Sequence, residues 1–305
     1  MAGKRKIIVG ARGSLLSRAQ TDIVISALKK KSPGYKFIFK KIITAGDRNK
    51  TRQKEAVGIF VKKIEGALLS GQIDIAIHSA KDLPSELPAG LKLAAVPKRE
   101  SPADVLIARE KISLREIKPR AVIGTSSPRR RAQLLNLRPD LSIKDLRGNL
   151  DTRIKKLETG EFTAIISALA GIKRLKIKNL FYQILPNNIM LPCAGQGALA
   201  IEIRKKDKFI KGIVSKINHP PSFTRVSCER AFIQELRAGC RLPVGALARI
   251  KGKRISLEAK VLSPDGKKVI YLKKSASVSK AESLGRALAK EALKKGAGEI
   301  LESKK

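Results

Sequence analysis

Apolar and polar positions along the chain repeat with two periods, and the two alternate. Short apolar-rich runs at Lys6–Ala11, Tyr35–Ile43, Ile73–His78, Ala103–Ala108, Ala121–Gly124, Ser142–Leu146 and Thr163–Ser167 predict β-strands. Between them the spacing changes to i, i+4. Leu15, Ala19, Ile23 and Ala27, joined by Leu16, Val24 and Leu28, mark one side of a helix that Ser14 can cap. Phe60–Ser70, Arg129–Leu137 and Thr152–Leu157 predict further helices. This alternation argues for an α/β fold with one or two doubly wound, mostly parallel sheets.

After residue 217 the pattern changes. A helix is predicted over Ser222–Leu236, followed by strands at Gly245–Ile250, Arg254–Leu262 and Lys268–Lys273. Lys251-Gly252-Lys253 and Pro264-Asp265-Gly266 separate these strands as hairpin turns. The Ala-rich segment Ser279–Lys295, with Leu284, Leu288 and Ala292 on one side, predicts a closing helix. The C-terminal part therefore reads as a small α+β domain with a three-stranded antiparallel sheet.

Composition narrows the function classes. A length of 305 residues suits two or three domains, and 43% hydrophobic residues can fill their cores. Lys and Arg number 65 against 26 Asp and Glu, a net charge of +39. The excess is spread along the chain, unlike the concentrated charge of a nucleic-acid-binding tail. It has two components. Residues 101–150 hold eight Arg and three Lys, whereas 251–305 hold 13 Lys and two Arg. The first is a local cluster of guanidinium forks suited to carboxylates; the second is a solvated coat. Aromatics at 4%, with no Trp, weigh against a base-stacking surface. Cys193, Cys228 and Cys240 form no C-x-x-C pair, so neither a zinc site nor a disulfide framework is expected. The uncharged stretch Asn179–Ile201 is broken by Pro186, Pro192 and Gly195 and does not read as a membrane span. Ile7–Val9 is too short for a signal peptide, and the expected location is the cytoplasm.

The most informative segment is Gly124-Thr-Ser-Ser-Pro-Arg-Arg-Arg131. A strand ends, Ser126 or Ser127 can cap, and Pro128 suits the first helical position. Three arginines in the first turn then oppose the helix macrodipole, which an anionic ligand would reverse. The same arginines pointing into solvent would cost little. Arg12 follows the first strand, Arg147 and Arg153 flank another strand end, and Arg174 follows Gly171-Ile-Lys. Together they suggest a pocket for a ligand with several carboxylates or phosphates. His78-Ser-Ala-Lys-Asp-Leu-Pro84 places a base, an ammonium and a carboxylate after a buried strand. Asp82 can steady a developing positive charge, or simply pair with Lys81 in a turn. Arg237 and Arg241 around Cys240 would lower its thiol pKa, and Gly239 offers the preceding helix an exit. Cys240 reads as either an activated thiol or a small buried residue, and Cys228 as packing.

Seven segments in one order resemble the hydroxymethylbilane synthases, also called porphobilinogen deaminases. They are Ala11-Arg-Gly-Ser14, Ile73 to Pro84, Gly124-Thr-Ser-Ser-Pro-Arg-Arg130, Leu146-Arg-Gly-Asn-Leu-Asp-Thr-Arg153, Ala170-Gly-Ile-Lys-Arg-Leu175, Leu191-Pro-Cys-Ala-Gly-Gln-Gly-Ala198 and Ala238-Gly-Cys-Arg-Leu-Pro-Val-Gly245. The resemblance implies two α/β domains like those of periplasmic binding proteins, residues 1–99 with 194–216 and residues 100–193, hinged by two crossings. Residues 217–305 would form the cofactor-attachment domain. It implies a dipyrromethane cofactor joined to Cys240 by a thioether, with Lys81, Ser127, Arg129, Arg130 and Arg147 around it. Asp82 would be the catalytic carboxylate. Arg12, Ser14, Arg147, Arg153, Arg174 and Phe60 would contact porphobilinogen, four units of which are joined with loss of ammonia before water releases hydroxymethylbilane. No metal, membrane or specific nucleic acid is implied, and a monomer is expected. The chain departs from the usual pattern at Glu55-Ala-Val-Gly-Ile-Phe60, where Val57 stands in place of a lysine, and at Arg237-Ala238 before Cys240. The alternatives are a non-catalytic anion-binding protein of the same fold and a nonspecific nucleic-acid binder.

Overall fold

A computed structural model describes residues 4–42, 56–237 and 242–302, which form three sheets flanked by helices. The first compact unit, Met1–Arg99 with Ala198–Phe223, begins with β1 (Lys6–Ala11), α1 (Leu15–Lys31), β2 (Lys36–Lys41), α2 (Ala56–Leu69), β3 (Ile75–Ser79) and β4 (Leu91–Ala95). The second unit, Glu100–Gly197 with Thr224–Lys305, starts with β5 (Asp104–Ala108), β6 (Val122–Gly124), α3 (Pro128–Leu137) and β7 (Ser142–Lys144). It continues through α4 (Leu150–Glu158), β8 (Ala164–Ala168), α5 (Leu169–Leu175) and β9 (Phe181–Leu185). The chain returns to the first unit with β10 (Leu199–Arg204) and α6 (Lys208–Val214). Then α7 (Pro220–Glu235) leads to β11 (Val244–Lys251), β12 (Arg254–Leu262), β13 (Val269–Ser277), α8 (Ala281–Lys294) and α9 (Ala297–Glu302).

The first sheet has the order β2-β1-β3-β10-β4 and the second β7-β6-β8-β5-β9. The expected parallel core is present in each. β1 runs parallel to β2 and β3, and β6 runs parallel to β7 and β8. Both sheets are nevertheless mixed, because β10 is antiparallel to β3 and β4, and β5 is antiparallel to β8 and β9. Each of these two strands is entered from the other sheet rather than through a helical crossover. The direction that a βαβ unit imposes is therefore absent.

Both faces of each sheet are covered, which is why the strands read as continuous apolar runs. In the first unit, Val9, Ile75, Ile77 and Ile201 pack with Val24 and Leu28 of α1 and Ile210 and Val214 of α6. The opposite face carries Ala76 and Ile73 against Ile64, Ala67 and Leu68 of α2. In the second unit, Leu106, Ile123 and Ile166 pack with Leu134 of α3, while Val105, Ile107 and Ile165 pack with Ile154 and Leu157 of α4.

The C-terminal sheet is antiparallel in the order β11-β12-β13. Its two turns place Gly252 and Gly266 at φ 57° and 76°, left-handed values that glycine adopts without strain. Leu284, Leu288 and Ala292 of α8 are buried as their spacing requires. Gly285 lets α8 approach α7 closely, since a Cβ there would stand 2.3 Å from the Cys228 carbonyl oxygen. The predicted closing helix is α8, and beyond it, after Gly296 (φ 88°), the chain adds the short helix α9 that was not predicted. No helix among the described residues is long and apolar enough to cross a membrane.

Candidate active site

In the first unit the candidate residues follow the C-terminal ends of two neighbouring parallel strands, β1 and β3. Arg12 comes directly after β1 and is half-buried. Ser14 caps α1, its Oγ accepting from Ser17 N at 3.3 Å, which leaves the hydroxyl proton available to donate. β3 passes into a 3-10 turn, Ala80–Asp82. Ala80 N donates to Ala198 O at 3.0 Å, and buried Leu83 anchors the far side of the turn. Lys81 is half-buried and Asp82 exposed. Phe60 lies in α2, and its side chain falls outside the described residues.

In the second unit the candidates again follow parallel strands that lie side by side, β7, β6 and β8. This is where open α/β sheets bind ligands. Ser127 occupies the N-cap position of α3 but makes no capping hydrogen bond with its side chain. Ser126 does not cap either; its Oγ donates to Leu146 O at 2.8 Å.

The first-turn arginines differ from the expectation that they simply face a ligand. Arg129 and Arg130 are 3% and 5% exposed and converge on the fully buried Asp104 of β5. Arg129 Nη1 donates to Asp104 Oδ2 at 2.7 Å, and Arg130 Nη2 to Oδ1 at 2.7 Å. Arg130 Nη1 also donates to Ile166 O and Arg131 Nη1 to Ile143 O, each at 2.9 Å. Gln196 Nε2 completes the set around Asp104 at 3.0 Å. Burial by itself would raise the Asp104 carboxyl; Arg129 and Arg130 reverse this and hold it at about 2. Part of the anion that the helix start called for is thus internal. Two cations on one carboxylate still leave a net positive charge. Arg129 Nε is buried without a hydrogen-bond partner, the Cys193 sulfur being close enough to act on its guanidinium.

Arg147 is exposed and only loosely paired with Asp145, at 3.6 Å. Arg153 Nε donates to Gly148 O at 2.8 Å across the start of α4, where Gly148 has φ 113°. Arg174, on α5, donates from Nη2 to Gly197 O at 2.6 Å. Burial pulls its pKa down to about 10, with Glu100 opposing. A guanidinium in that state gains from a further anion.

Cys240 and its neighbours 238, 239 and 241 lie outside the described residues. The flanks are informative. Arg237, at the helix exit, has φ 51°, and Gly239, expected to permit that exit, lies outside the described residues. Glu229, fully buried on α7, accepts from Gly195 N at 2.7 Å and from Ala248 N at 2.9 Å, joining the segment before β10 to β11. Cys228 is buried in the C-terminal core, and burial pushes its thiol up to about 12. It is packing, as expected. The sequence reading missed Asp104 and Glu229. Asp104 had a signal, a single acid inside Ala103–Ala108, since a charge in a buried strand needs partners. Glu229 had none. Among the described residues no group of His, Cys, Asp or Glu could hold a metal ion.

The chain matches the family model for porphobilinogen deaminase, dipyromethane cofactor binding domain, over residues 7–212. It also matches the porphobilinogen deaminase C-terminal domain over residues 223–294. It is 47% identical over 298 residues to a porphobilinogen deaminase of Thermus thermophilus, spanning 97% of this chain and 98% of that protein. Identity to the protein of the same name from Moorella thermoacetica is 43% over 303 residues, 98% of this chain and 97% of the relative. Among solved structures, substrate binding domain 2 of Lactococcus lactis GlnP in its open conformation is similar at a TM-score of 0.44. The identity is 12%, over 72% of this chain and 88% of that one.

Proposed function

The chain belongs to the porphobilinogen deaminase family, and from that membership we propose how its own residues carry the reaction. The activity is that of a hydroxymethylbilane synthase, a transferase of tetrapyrrole biosynthesis. Four porphobilinogen molecules are joined head to tail with loss of ammonia on a dipyrromethane primer, and water releases hydroxymethylbilane. The observation that carries this is the match of the dipyromethane-binding model across residues 7–212.

The primer's carboxylates suit the donor set here. In our reading Lys81, Ser127, Arg129, Arg130 and Arg147 hold them and Cys240 carries the primer by a thioether. Support comes from the surplus positive charge on the Arg129–Arg130–Asp104 group and from the buried Arg129 Nε–H that has no partner. Bound there, the group supplies the nucleophilic pyrrole carbon from which the chain grows.

Arg12, Ser14, Arg147, Arg153 and Arg174 take the acetate and propionate groups of porphobilinogen, and Phe60 covers them. Guanidinium forks at successive strand ends suit an acid that gains two carboxylates with every addition. Loss of ammonia leaves a cation delocalised over the substrate pyrrole. Asp82 is a fixed carboxylate that stabilises this charge as it develops. Its exposure at the end of a 3-10 turn anchored by Leu83 supports that role. We read the protein as a cytoplasmic monomer of three domains without a specific nucleic-acid partner.

Intact-protein mass spectrometry tests the assignment. The mass should exceed that of the 305 residues by one dipyrromethane. Cys240→Ser should lose both the added mass and bilane formation. An active wild type of unmodified mass would overturn the primer's attachment, and porphobilinogen bound without ammonia release would overturn the activity.

A further inference from the structure

In the second unit the segment that follows β9 is gripped by α3 through one side chain. Leu191 N donates to Gln133 Oε1 at 2.8 Å, and Gln133 Nε2 donates back to Leu191 O at 3.0 Å. Gln133 therefore pairs with both backbone groups of one residue, as a neighbouring strand would. A primary amide can do this because it carries an acceptor and a donor side by side. Gln133 and Leu191 are 2% and 1% exposed, so water cannot take over either bond. Arg129 lies one turn before Gln133 on α3 and shares the acceptor, its Nη1 donating to Leu191 O at 2.8 Å. The same Nη1 donates to Asp104, so Leu191 O and Asp104 together fix where this guanidinium sits.

The other side of this segment meets β11. Ala246 N donates to Pro192 O at 2.8 Å. Gly245 comes so near that a Cβ there would stand 2.8 Å from Leu191 O. β11 begins four residues after Cys240. Leu191 and Pro192 thus bridge the arginine-bearing start of α3 to the strand that follows the Cys240 loop. A second tie joins α3 to the C-terminal sheet without touching Leu191. Asn136 Nδ2 donates to Gly266 O at 2.8 Å, in the turn between β12 and β13.

We propose that Gln133 is a positioning residue for the primer: by holding both backbone groups of Leu191, it keeps Arg129 in register with the strand that follows the Cys240 loop. A primer joined to Cys240 and held by its carboxylates on Arg129 and Arg130 spans two parts of the fold. Its fit depends on the spacing between them, and α3, Leu191–Pro192 and β11 set that spacing. Without the Gln133 amide, Leu191 N loses its partner and Leu191 O is left to Arg129 alone. The bridge can then shift, and Arg129 either follows its acceptor or gives it up. Gln133 acts through Leu191 and touches neither primer nor porphobilinogen. The role rests on the reading of Cys240 as the anchor and Arg129 as a carboxylate holder; the pairing of Gln133 with Leu191 does not.

The test compares Gln133→Met, which keeps the side chain's length and removes both bonds, with Asn136→Ala, which removes only the second tie. Full-length chain made in cells without porphobilinogen is given porphobilinogen, and the gain of the primer's mass is followed in time. kcat and KM are then measured on the loaded proteins, and urea midpoints on all of them. Asn136→Ala should load at the wild-type rate and keep wild-type kcat although its urea midpoint falls. Gln133→Met should load about tenfold more slowly or worse, because small misplacements of a binding group carry such costs. Once loaded, its kcat should fall by a similar factor with KM changed less than about twofold, since the primer's seat is displaced and the substrate's is not. Should Gln133→Met fail to fold, Gln133→Glu, which keeps the acceptor for Leu191 N and loses the donor, is read by the same criteria. Wild-type loading and kcat without the amide would overturn the positioning role. Equal losses in Asn136→Ala would overturn it too, because the effect would then follow stability. A wild type that never gains the mass would overturn the reading of Cys240, and the role of Gln133 with it.

Discussion

Replacing Asp82 by Asn removes a negative charge and changes little else, because the side chain is exposed at the end of a turn held by Leu83. The melting temperature should stay near wild type. The rate of ammonia release in a single turnover should fall roughly 10²–10³-fold, the usual cost of losing one preorganised charge-stabilising group. An unchanged rate would remove Asp82 from the chemistry. Asp104 behaves in the opposite way. Asp104→Asn leaves two buried guanidinium groups without their counter-charge, and stability should drop by about 3–5 kcal/mol in urea melts. The folded Asp104 carboxyl sits at about 2 against an ordinary 3.8, so its contribution is complete above the ordinary value and is lost as pH falls toward 2. The contrast explains which residues could be found from sequence. Arg129, Arg130 and Arg131 stand out because cations at the start of a helix break a local electrostatic rule, and Arg147 because it follows a strand end. Asp104 shows in one dimension only as a lone acid within a buried strand, Glu229 shows not at all, and their partners are 25 or 26 and 19 residues away or more.

At the scale of elements, Leu15 and Ile23, read into the α1 stripe, are exposed, and the buried side of that helix runs through Gln20, Thr21, Val24, Ile25 and Leu28. The cap Ser14 of α1 and the stripe Leu284 and Leu288 of α8 were readable. Three strands were not. β4 is half-exposed along its middle, β9 turns Phe181, Tyr182 and Ile184 outward, and β10 interrupts its apolar run with buried Glu202. Each violates the simple alternation because it lies at a sheet edge or serves a polar cluster. Gly197 shows how such a connection is constrained. Its φ is +82°, and a Cβ would stand 2.4 Å from the Glu100 carbonyl oxygen, which is rigid backbone. Gly197→Ala should therefore cost about 1–3 kcal/mol. It should also displace the carbonyl that Arg174 grips, so KM for porphobilinogen should rise more than kcat falls. Calorimetry with steady-state kinetics checks both, and a destabilised variant with wild-type KM would separate Arg174 from substrate binding.

For the whole molecule the open quantity is the net charge of +39. The seven candidate cations, Arg12, Lys81, Arg129, Arg130, Arg147, Arg153 and Arg174, are a small part of the 65 Lys and Arg, and two of them are already neutralised in part by Asp104. Most of the rest is Lys on exposed positions, such as Lys273, Lys274 and Lys290, where screening acts within about 10 Å at 0.1 M salt. The two populations should respond differently to ionic strength. Retention on heparin should fall steeply with salt, because it depends on the diffuse coat releasing counterions. KM for porphobilinogen should rise only a few-fold over the same range, because Arg12 and Arg174, proposed to take its carboxylates, are half-buried, where salt screens poorly. Measuring both across one salt series decides the matter. If KM climbed in step with the loss of heparin binding, the lysine coat would be acting as a steering field for the substrate, and the division between local arginines and diffuse lysines would have to be given up.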